Sequence, residues 1–169
     1  MPRSWRSLFC PFIHNLLPAS SAIFTLRGMA NQVKVKLARI ENFRLRGETP
    51  LGQSAVIDAP VAAGGKDEGV RPLEMLLMSL AGCASVDVLT ILQKQRQEIL
   101  AYAVTVEGDR VDAVPAIFSE IRVHFQVKGY VDPQKLAEAV RLSAEKYCSV
   151  SAMLANGGVN IEWSSSVEA

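Results

Sequence analysis

Hydrophobic residues follow one another almost without interruption between residues 73 and 92, in a stretch made mostly of good helix formers. Pro72 precedes the stretch, and proline is favoured in the first turn of a helix. Residues 93–96, Gln-Lys-Gln-Arg, return the chain to polar side chains. A surface helix shows one apolar stripe, whereas this segment is apolar on nearly every side. The pattern therefore predicts a long helix, roughly 30 Å in length, buried in the centre of the fold.

A helix of this length would also fit a lipid bilayer. Polar residues interrupt it too often for a lone membrane span, and they lie at Glu74, Ser79, Ser85, Asp87 and Thr90. We therefore interpret the segment as a core helix and expect no membrane association.

Alternating hydrophobic and polar residues predict short strands on both sides of this helix. They lie at residues 32–40, 43–46, 52–58, 102–106 and 121–127. The last of these is the clearest, and it places His124 on its polar side, where we expect a solvated histidine. A glycine-rich loop over residues 62–70 leads into the long helix.

The C-terminal part of the chain predicts two further helices and a closing strand. Asp132 is a typical N-cap residue, and Pro133 suits the first turn after it. The helical pattern is interrupted at residues 146–148, after which Ser149 can cap a short helix. A strand over residues 159–167 follows. With its helices separated from neighbouring strands, the order predicts an α+β fold, a long central helix against an antiparallel sheet.

The predicted central helix needs covering on all sides, but a single sheet of about six strands covers only one of them. A second copy of the chain, related by twofold symmetry, can cover the other side. The sequence therefore favours an obligate homodimer.

Residues 1–28 differ from the rest of the chain, because they contain three arginines and no acidic residue. Their apolar run is interrupted by Pro11 and Pro18, whereas a targeting peptide needs an uninterrupted one. We expect residues 1–28 to be an unstructured extension or a mis-assigned start, with a targeting segment as the alternative. The folded domain is expected over residues 29–169.

Composition limits the classes of function that are compatible with the sequence. The chain has 18 basic and 17 acidic residues, so its charge does not favour nucleic acid or an anionic membrane as a partner. Its two histidines, His14 and His124, provide no set of metal ligands, and we expect no metal or other cofactor. The three cysteines, Cys10, Cys83 and Cys148, contain no CxxC motif. An odd number of widely spaced cysteines indicates free thiols and a cytoplasmic protein.

Cys83 and Cys148 are candidates for a functional pair, although a buried cysteine often serves only as a small hydrophobic residue. Cys148 lies beside a predicted helix start, where backbone N–H groups and the helix dipole favour the thiolate. Cys83 follows Ala81 and Gly82 in the apolar helix, where a thiolate would need a positively charged partner.

Three segments around these cysteines carry a family resemblance. The runs PLEMLLMSLAGC, VDVLTILQKQRQ and LSAEKYCSVSAML resemble the OsmC/Ohr family of thiol-dependent hydroperoxide reductases, and the likeness extends from about Asn31 to the C-terminus. The resemblance implies an intertwined homodimer with active sites at the subunit interface and without metal, flavin or haem. It also implies that Cys83 attacks an organic hydroperoxide and becomes a sulfenic acid. Cys148 would then form a disulfide with it, and an external dithiol would reduce that disulfide.

The chain departs from the family pattern at one position. Peroxidases of this family have a glutamate directly after the proline that starts the helix, paired with an arginine from the N-terminal strands. Here Leu73 occupies that position and the acid is Glu74. On a regular helix Glu74 and Cys83 would point to opposite sides, about 13 Å apart along the axis. Glu74 is therefore either a catalytic acid or a favourable charge in the first turn.

Two further assignments stay open in the sequence. Arg39, Arg44 and Arg46 are equal candidates for the arginine. Asp87, one turn after Cys83, would raise the pKa of that thiol if it faced it, or else bind a backbone or partner group. The alternative to a peroxidase is a dimeric small-molecule-binding or stress-associated protein without efficient peroxide chemistry.

Overall fold

The computed structural model describes residues 32–168, which form six strands and three α-helices. In chain order these are β1 (Lys36–Glu41), β2 (Arg44–Glu48), β3 (Ser54–Ile57), α1 (Pro72–Lys94), β4 (Glu98–Arg110), β5 (Phe118–Tyr130), α2 (Pro133–Leu142), α3 (Ser149–Asn156) and β6 (Asn160–Glu168). The predicted α+β class is confirmed. The predicted N-terminal extension, residues 1–28, and Cys10 lie outside the described residues.

Helix α1 is the predicted long helix, and one stripe of it forms the centre of the core. The stripe consists of residues spaced four apart, all fully buried, namely Leu80, Ala84, Val88 and Leu92. It belongs to the same hydrophobic cluster as the alternate, fully buried residues of β5, namely Ile121, Val123, Phe125 and Val127. Helix α1 is long and apolar enough to cross a bilayer, but the core helix of a soluble protein meets the same test.

The opposite side of α1 is exposed in the single chain. Met78 is 56% exposed and Val86 is 66% exposed, and both are large apolar side chains. The predicted burial on every side is therefore limited, within residues 32–168, to one stripe, against which the second sheet, α2 and α3 pack.

The strands form two three-stranded sheets rather than one sheet of about six strands. Strands β1, β2 and β3 pair with one another in antiparallel order. In the second sheet β4 and β5 are antiparallel, but β6 runs parallel to β5. The parallel pair arises because α2 and α3 lie between β5 and β6, and a crossover of that length returns the chain in the same direction.

The connection between β5 and β6 contains a π-helical turn. Helix α2 begins as predicted, with Pro133 in its first turn and the Asp132 carboxylate accepting the N–H of Gln134 at 2.8 Å. The π turn, Ser143–Tyr147, then separates α2 from α3, where the sequence pattern is interrupted. Cys148 rather than Ser149 is the N-cap of α3, because its sulfur accepts a backbone N–H of that helix.

The loop that leads from β3 to α1 is organised by Asp58, which is only 2% exposed. Its carboxylate accepts the backbone N–H groups of Ala59, Lys66 and Glu68 at 2.8, 3.0 and 3.2 Å. A single buried side chain thus satisfies three donors and fixes the approach of the chain to α1.

Candidate active site

Cys83 lies near the middle of α1, directly before the buried Ala84. Its side chain is half-buried and packs against the hydrophobic core. Because α1 is anchored along its buried stripe, the position of this thiol is fixed by the core, while part of it stays open to solvent.

Cys148 approaches the same place from the other side, at the junction of the π turn and α3. It is 3% exposed, and its sulfur accepts the backbone N–H of Ser151 at 3.4 Å. Its own N–H donates to the carbonyl oxygen of Ser143 at 2.9 Å, which closes the π turn. The N-cap geometry therefore holds the sulfur at the end of α3.

The two thiols are neighbours. Cys148 belongs to the hydrophobic core against which Cys83 packs, and Cys83 is near enough to raise the pKa of the Cys148 thiol. Neither is in a disulfide in this structure. The fold therefore brings the two candidate cysteines, far apart in the sequence, into the same part of the core.

The predicted ionisation of Cys148 is wrong in direction. The pKa of its thiol is raised from 9.0 to about 11; burial is the largest cause, the neighbouring Cys83 adds to it, and the N–H groups of Ser151 and Val150 oppose the shift. The helix start acts as expected, but removal of the sulfur from water has the larger effect. Cys148 therefore remains a protonated thiol at neutral pH.

Asp87 accepts a hydrogen bond from a residue of its own chain. The hydroxyl of Ser143, which is fully buried, donates to its Oδ2 at 3.1 Å. The same hydroxyl lies 3.4 Å from the carbonyl oxygen of Ala84. Sequence reasoning missed Ser143, because nothing near it in the chain indicates a contact with α1.

Glu74 caps the start of α1. Its Oε2 accepts the backbone N–H of Arg71 at 2.9 Å, and it is the acidic residue of the first turn. This contact corresponds to the first-turn alternative derived from the sequence, since it uses the carboxylate to satisfy a free N–H group.

The three candidate arginines all lie in the first sheet. Arg44 pairs with Glu41 at 2.8 Å and also with Glu68. Arg39 donates from Nε to a backbone carbonyl of the β1–β2 turn at 2.9 Å. Arg46 lies exposed in β2. The contacts of Arg39 and Arg44 stay within this sheet and the loop that follows it, so they do not connect it with the thiols.

An apolar cavity of about 480 Å³ lies between the first turns of α1, the end of α3 and the β4–β5 hairpin. It is lined by Leu73, Leu76, Arg110, Pro115, Ala116, Ile117, Phe118, Met153, Leu154, Gly157 and Val159. Leu76 lies two turns before Cys83 on the same helix, and Met153 lies within α3. The cavity is thus built from the same two helices that carry the thiols.

The ring of His124 contacts two serines of β6. His124 is half-buried rather than freely solvated, and its ring nitrogens lie 2.8 and 3.0 Å from the hydroxyls of Ser164 and Ser166. Between residues 32 and 168 there is no cluster of three or more His, Cys, Asp or Glu residues suited to a metal ion.

Comparison with known proteins gives consistent matches. The family model described as "OsmC-like protein" matches residues 65–164. Protein YhfA of Escherichia coli strain K12 is 38% identical over 139 residues, which cover 82% of this chain and 98% of that protein.

Solved structures agree with these matches. A hypothetical protein from Aquifex aeolicus VF5 has 33% identity and a TM-score of 0.71, and the match covers 81% of this chain and 96% of that one. An organic hydroperoxide resistance protein OsmC from Legionella pneumophila has 18% identity and a TM-score of 0.63, with 82% and 98% covered. At that identity the likeness shows the fold alone, whereas the first match also extends to sequence.

Proposed function

This chain belongs to the OsmC-like protein family, and from that premise we propose that it reduces organic hydroperoxides through Cys83 and Cys148. The family includes organic hydroperoxide resistance proteins. The observation that carries the proposal is that the fold makes the two thiols neighbours at one place in the core. Two cysteines that merely fill the core would not need to face each other.

The proposed reaction has three steps. The thiolate of Cys83 attacks the distal peroxide oxygen, the O–O bond breaks, and the products are an alcohol and a sulfenic acid at Cys83. The Cys148 sulfur then bonds to the Cys83 sulfur, and the sulfenic oxygen leaves as water. An external dithiol reduces the disulfide and is itself oxidised to a disulfide. Hydroperoxide and dithiol thus yield alcohol, water and oxidised dithiol.

Burial and charge support this division of roles. Cys83 is half-buried and open to a peroxide, whereas Cys148 is 3% exposed. The pKa of Cys148 is also raised to about 11, mainly by burial, which makes it a poor first nucleophile at neutral pH. Cys148 is therefore better suited to the second step, in which the sulfur that it attacks is its neighbour.

The apolar cavity offers a place for the hydrocarbon part of an organic peroxide, although neither thiol is among its lining residues. Its side chains come from α1, α3 and the β4–β5 hairpin, and they are mainly aliphatic and aromatic. Such a surface favours the hydrocarbon part of a substrate. We also propose a cytoplasmic location, because the sequence has an odd number of widely spaced cysteines.

We further propose that the working form is a homodimer. Met78, Val86 and Leu89 leave an apolar face of α1 uncovered in the single chain, and a second copy would cover it. A subunit interface there would lie beside Cys83. It would also give Arg39, Arg44 or Arg46 of a second chain a route to that thiol, which they do not reach through the contacts described above.

The test uses a purified protein, tert-butyl hydroperoxide and a dithiol. Cys83→Ser should abolish turnover, and Cys148→Ser should allow one oxidation and leave a trapped sulfenic acid at Cys83. Cys10→Ser is the matched control and should behave as the unaltered protein does. Mass spectrometry after thiol blocking should find a disulfide between residues 83 and 148. If peroxide produces neither this disulfide nor a sulfenic acid, the proposed activity is refuted.

One observation favours a second candidate, a dimeric small-molecule-binding protein without efficient peroxidase activity. The Glu74 carboxylate caps the start of α1, whereas Cys83 lies near the middle of that helix. Glu74→Gln separates the cases. A catalytic carboxylate would make kcat/KM fall at unchanged stability, whereas a capping residue would leave both nearly unchanged, because the glutamine oxygen can still accept the N–H of Arg71.

A further inference from the structure

Ser143 connects the segment that carries Cys148 to the helix that carries Cys83. Its side chain is fully buried and donates to Oδ2 of Asp87, on α1, at 3.1 Å. Its main-chain carbonyl accepts the N–H of Cys148 at 2.9 Å. One residue therefore binds the cysteine through its backbone and α1 through its side chain.

These contacts form a closed ring. Asp87 follows Cys83 by four residues, so both lie on the same face of α1. From Asp87 the ring continues through Ser143 and the π turn to Cys148, whose thiol lies beside Cys83 at the core. Because the hydroxyl of Ser143 is out of contact with water, rearranging the ring would leave a buried polar group without its partner.

We propose that Asp87 and Ser143 are positioning residues, which hold the Cys148 sulfur against Cys83 for formation of the disulfide. For a disulfide that forms after reaction with peroxide, this inference rests on the proposed function. The step it concerns forms the S–S bond, breaks the S–O bond of the Cys83 sulfenic acid, and releases the hydroxyl with the Cys148 proton as water. Neither Asp87 nor Ser143 touches the reacting atoms, since both act through the backbone of the π turn.

The π turn explains why a contact such as the one from Ser143 to Asp87 is needed. Its hydrogen bonds join residues five apart and form in short stretches, often at functional sites. A turn of this kind presents Cys148 at a different angle from the one that a continuous α-helix would give. The buried contact from Ser143 to Asp87 fixes that turn on α1, so the sulfur keeps its position when its neighbour is oxidised.

The kinetic test measures the two oxidation steps separately, by rapid quench and mass spectrometry. Asp87→Ala and Ser143→Ala should each slow the conversion of sulfenic acid to disulfide by about tenfold or more, since small misplacements of a nucleophile have effects of that size. Formation of the sulfenic acid should change by no more than about twofold, because Cys83 stays anchored by α1. Sulfenic acid should therefore accumulate in these variants.

Two control variants distinguish the effect of positioning from the effect of the Asp87 charge and from the effect of losing any serine hydroxyl. Asp87→Asn retains an oxygen that accepts from Ser143 but removes the negative charge, so it should react nearly as the unaltered protein does. Ser119→Ala removes an exposed hydroxyl that donates to a backbone carbonyl at 3.2 Å, and it serves as the matched serine control. If Asp87→Asn behaves like Asp87→Ala, charge rather than position is responsible and the proposal is overturned.

An equilibrium test needs no peroxide and so does not depend on the proposed function. The disulfide between residues 83 and 148 is brought to equilibrium with mixtures of reduced and oxidised dithiothreitol. A loss of positioning should lower the equilibrium constant for its formation about tenfold, which makes the reduction potential about 30 mV less negative. Disulfide formation at unaltered rate and potential in both alanine variants would overturn the inference, whatever the protein does with peroxide. If Ser143→Ala fails to fold, the test can still be made with Asp87→Ala, because Asp87 is only half-buried.

Discussion

Cys148 should be much less reactive at neutral pH than an ordinary thiol, and its raised pKa gives the size of the effect. Burial is the main cause that raises this pKa from 9.0 to about 11. At pH 8 an unperturbed thiol of pKa 9.0 is about 9% thiolate, whereas one of pKa 11 is about 0.1% thiolate. Alkylation, which requires the thiolate, should therefore be about 90-fold slower at Cys148 than at an unperturbed cysteine.

The assay follows iodoacetamide labelling of the reduced protein between pH 7 and 11, with the labelled peptides measured by mass spectrometry. The midpoint of the pH profile is the decisive quantity, because burial also slows labelling by blocking access, without moving that midpoint. In urea, where the burial is lost, Cys148 should label as an ordinary thiol. Cys83→Ala should lower the midpoint, since it removes a contact that raises the pKa, but burial should keep it above the ordinary value.

A midpoint near the ordinary thiol value in the native protein would refute this reasoning. It would mean that the N–H groups of Ser151 and Val150 outweigh the loss of water around the sulfur. The preference for Cys83 as the first nucleophile would then lose its electrostatic support, although the difference in exposure would remain.

Three further predictions concern assembly and stability. Val86→Arg should convert dimer to monomer in sedimentation experiments at low micromolar concentration, because it places a charge on the uncovered face of α1; a surviving dimer would put the interface elsewhere. Asp58→Ala should lower the free energy of unfolding by about 3 kcal/mol, measured in urea at fixed protein concentration, since three backbone N–H groups lose their acceptor. Asp58→Asn should lower the free energy of unfolding by less than Asp58→Ala does. Leu80→Ala should cost about 3 kcal/mol through the cavity it leaves in the core, whereas Val114→Ala, at a fully exposed site, should have no measurable effect.

Local patterns in the sequence were sufficient for most individual elements. The predicted helix after Pro72 and the predicted strand around His124 correspond to α1 and β5. Asp132 caps α2 as its residue type indicates. These features depend on neighbours within a few residues, which a single sequence displays directly.

What the sequence could not supply depends on contacts between distant residues. The parallel pairing of β6 with β5 depends on the path of the chain between them rather than on the composition of β6. The hydrogen bond from Ser143 to Asp87 joins residues 56 positions apart. The ionisation of Cys148 was expected in the wrong direction because its helix start was visible in the sequence and its burial was not.

The parallel strand β6 has a consequence for the newly made protein. Helix α1 and Cys83 leave the ribosome well before Cys148, and β6, the parallel neighbour of β5, is made after both. The crossover that carries Cys148 is therefore anchored at its second end only when translation of β6 is complete. Until Cys148 has been made, Cys83 is a thiol without its neighbour, and an oxidant that reaches it forms a sulfenic acid that Cys148 cannot yet convert to a disulfide. Further oxidation of that sulfenic acid gives the irreversible sulfinic acid, so chains that are still being synthesised should be the ones most prone to such damage at this residue.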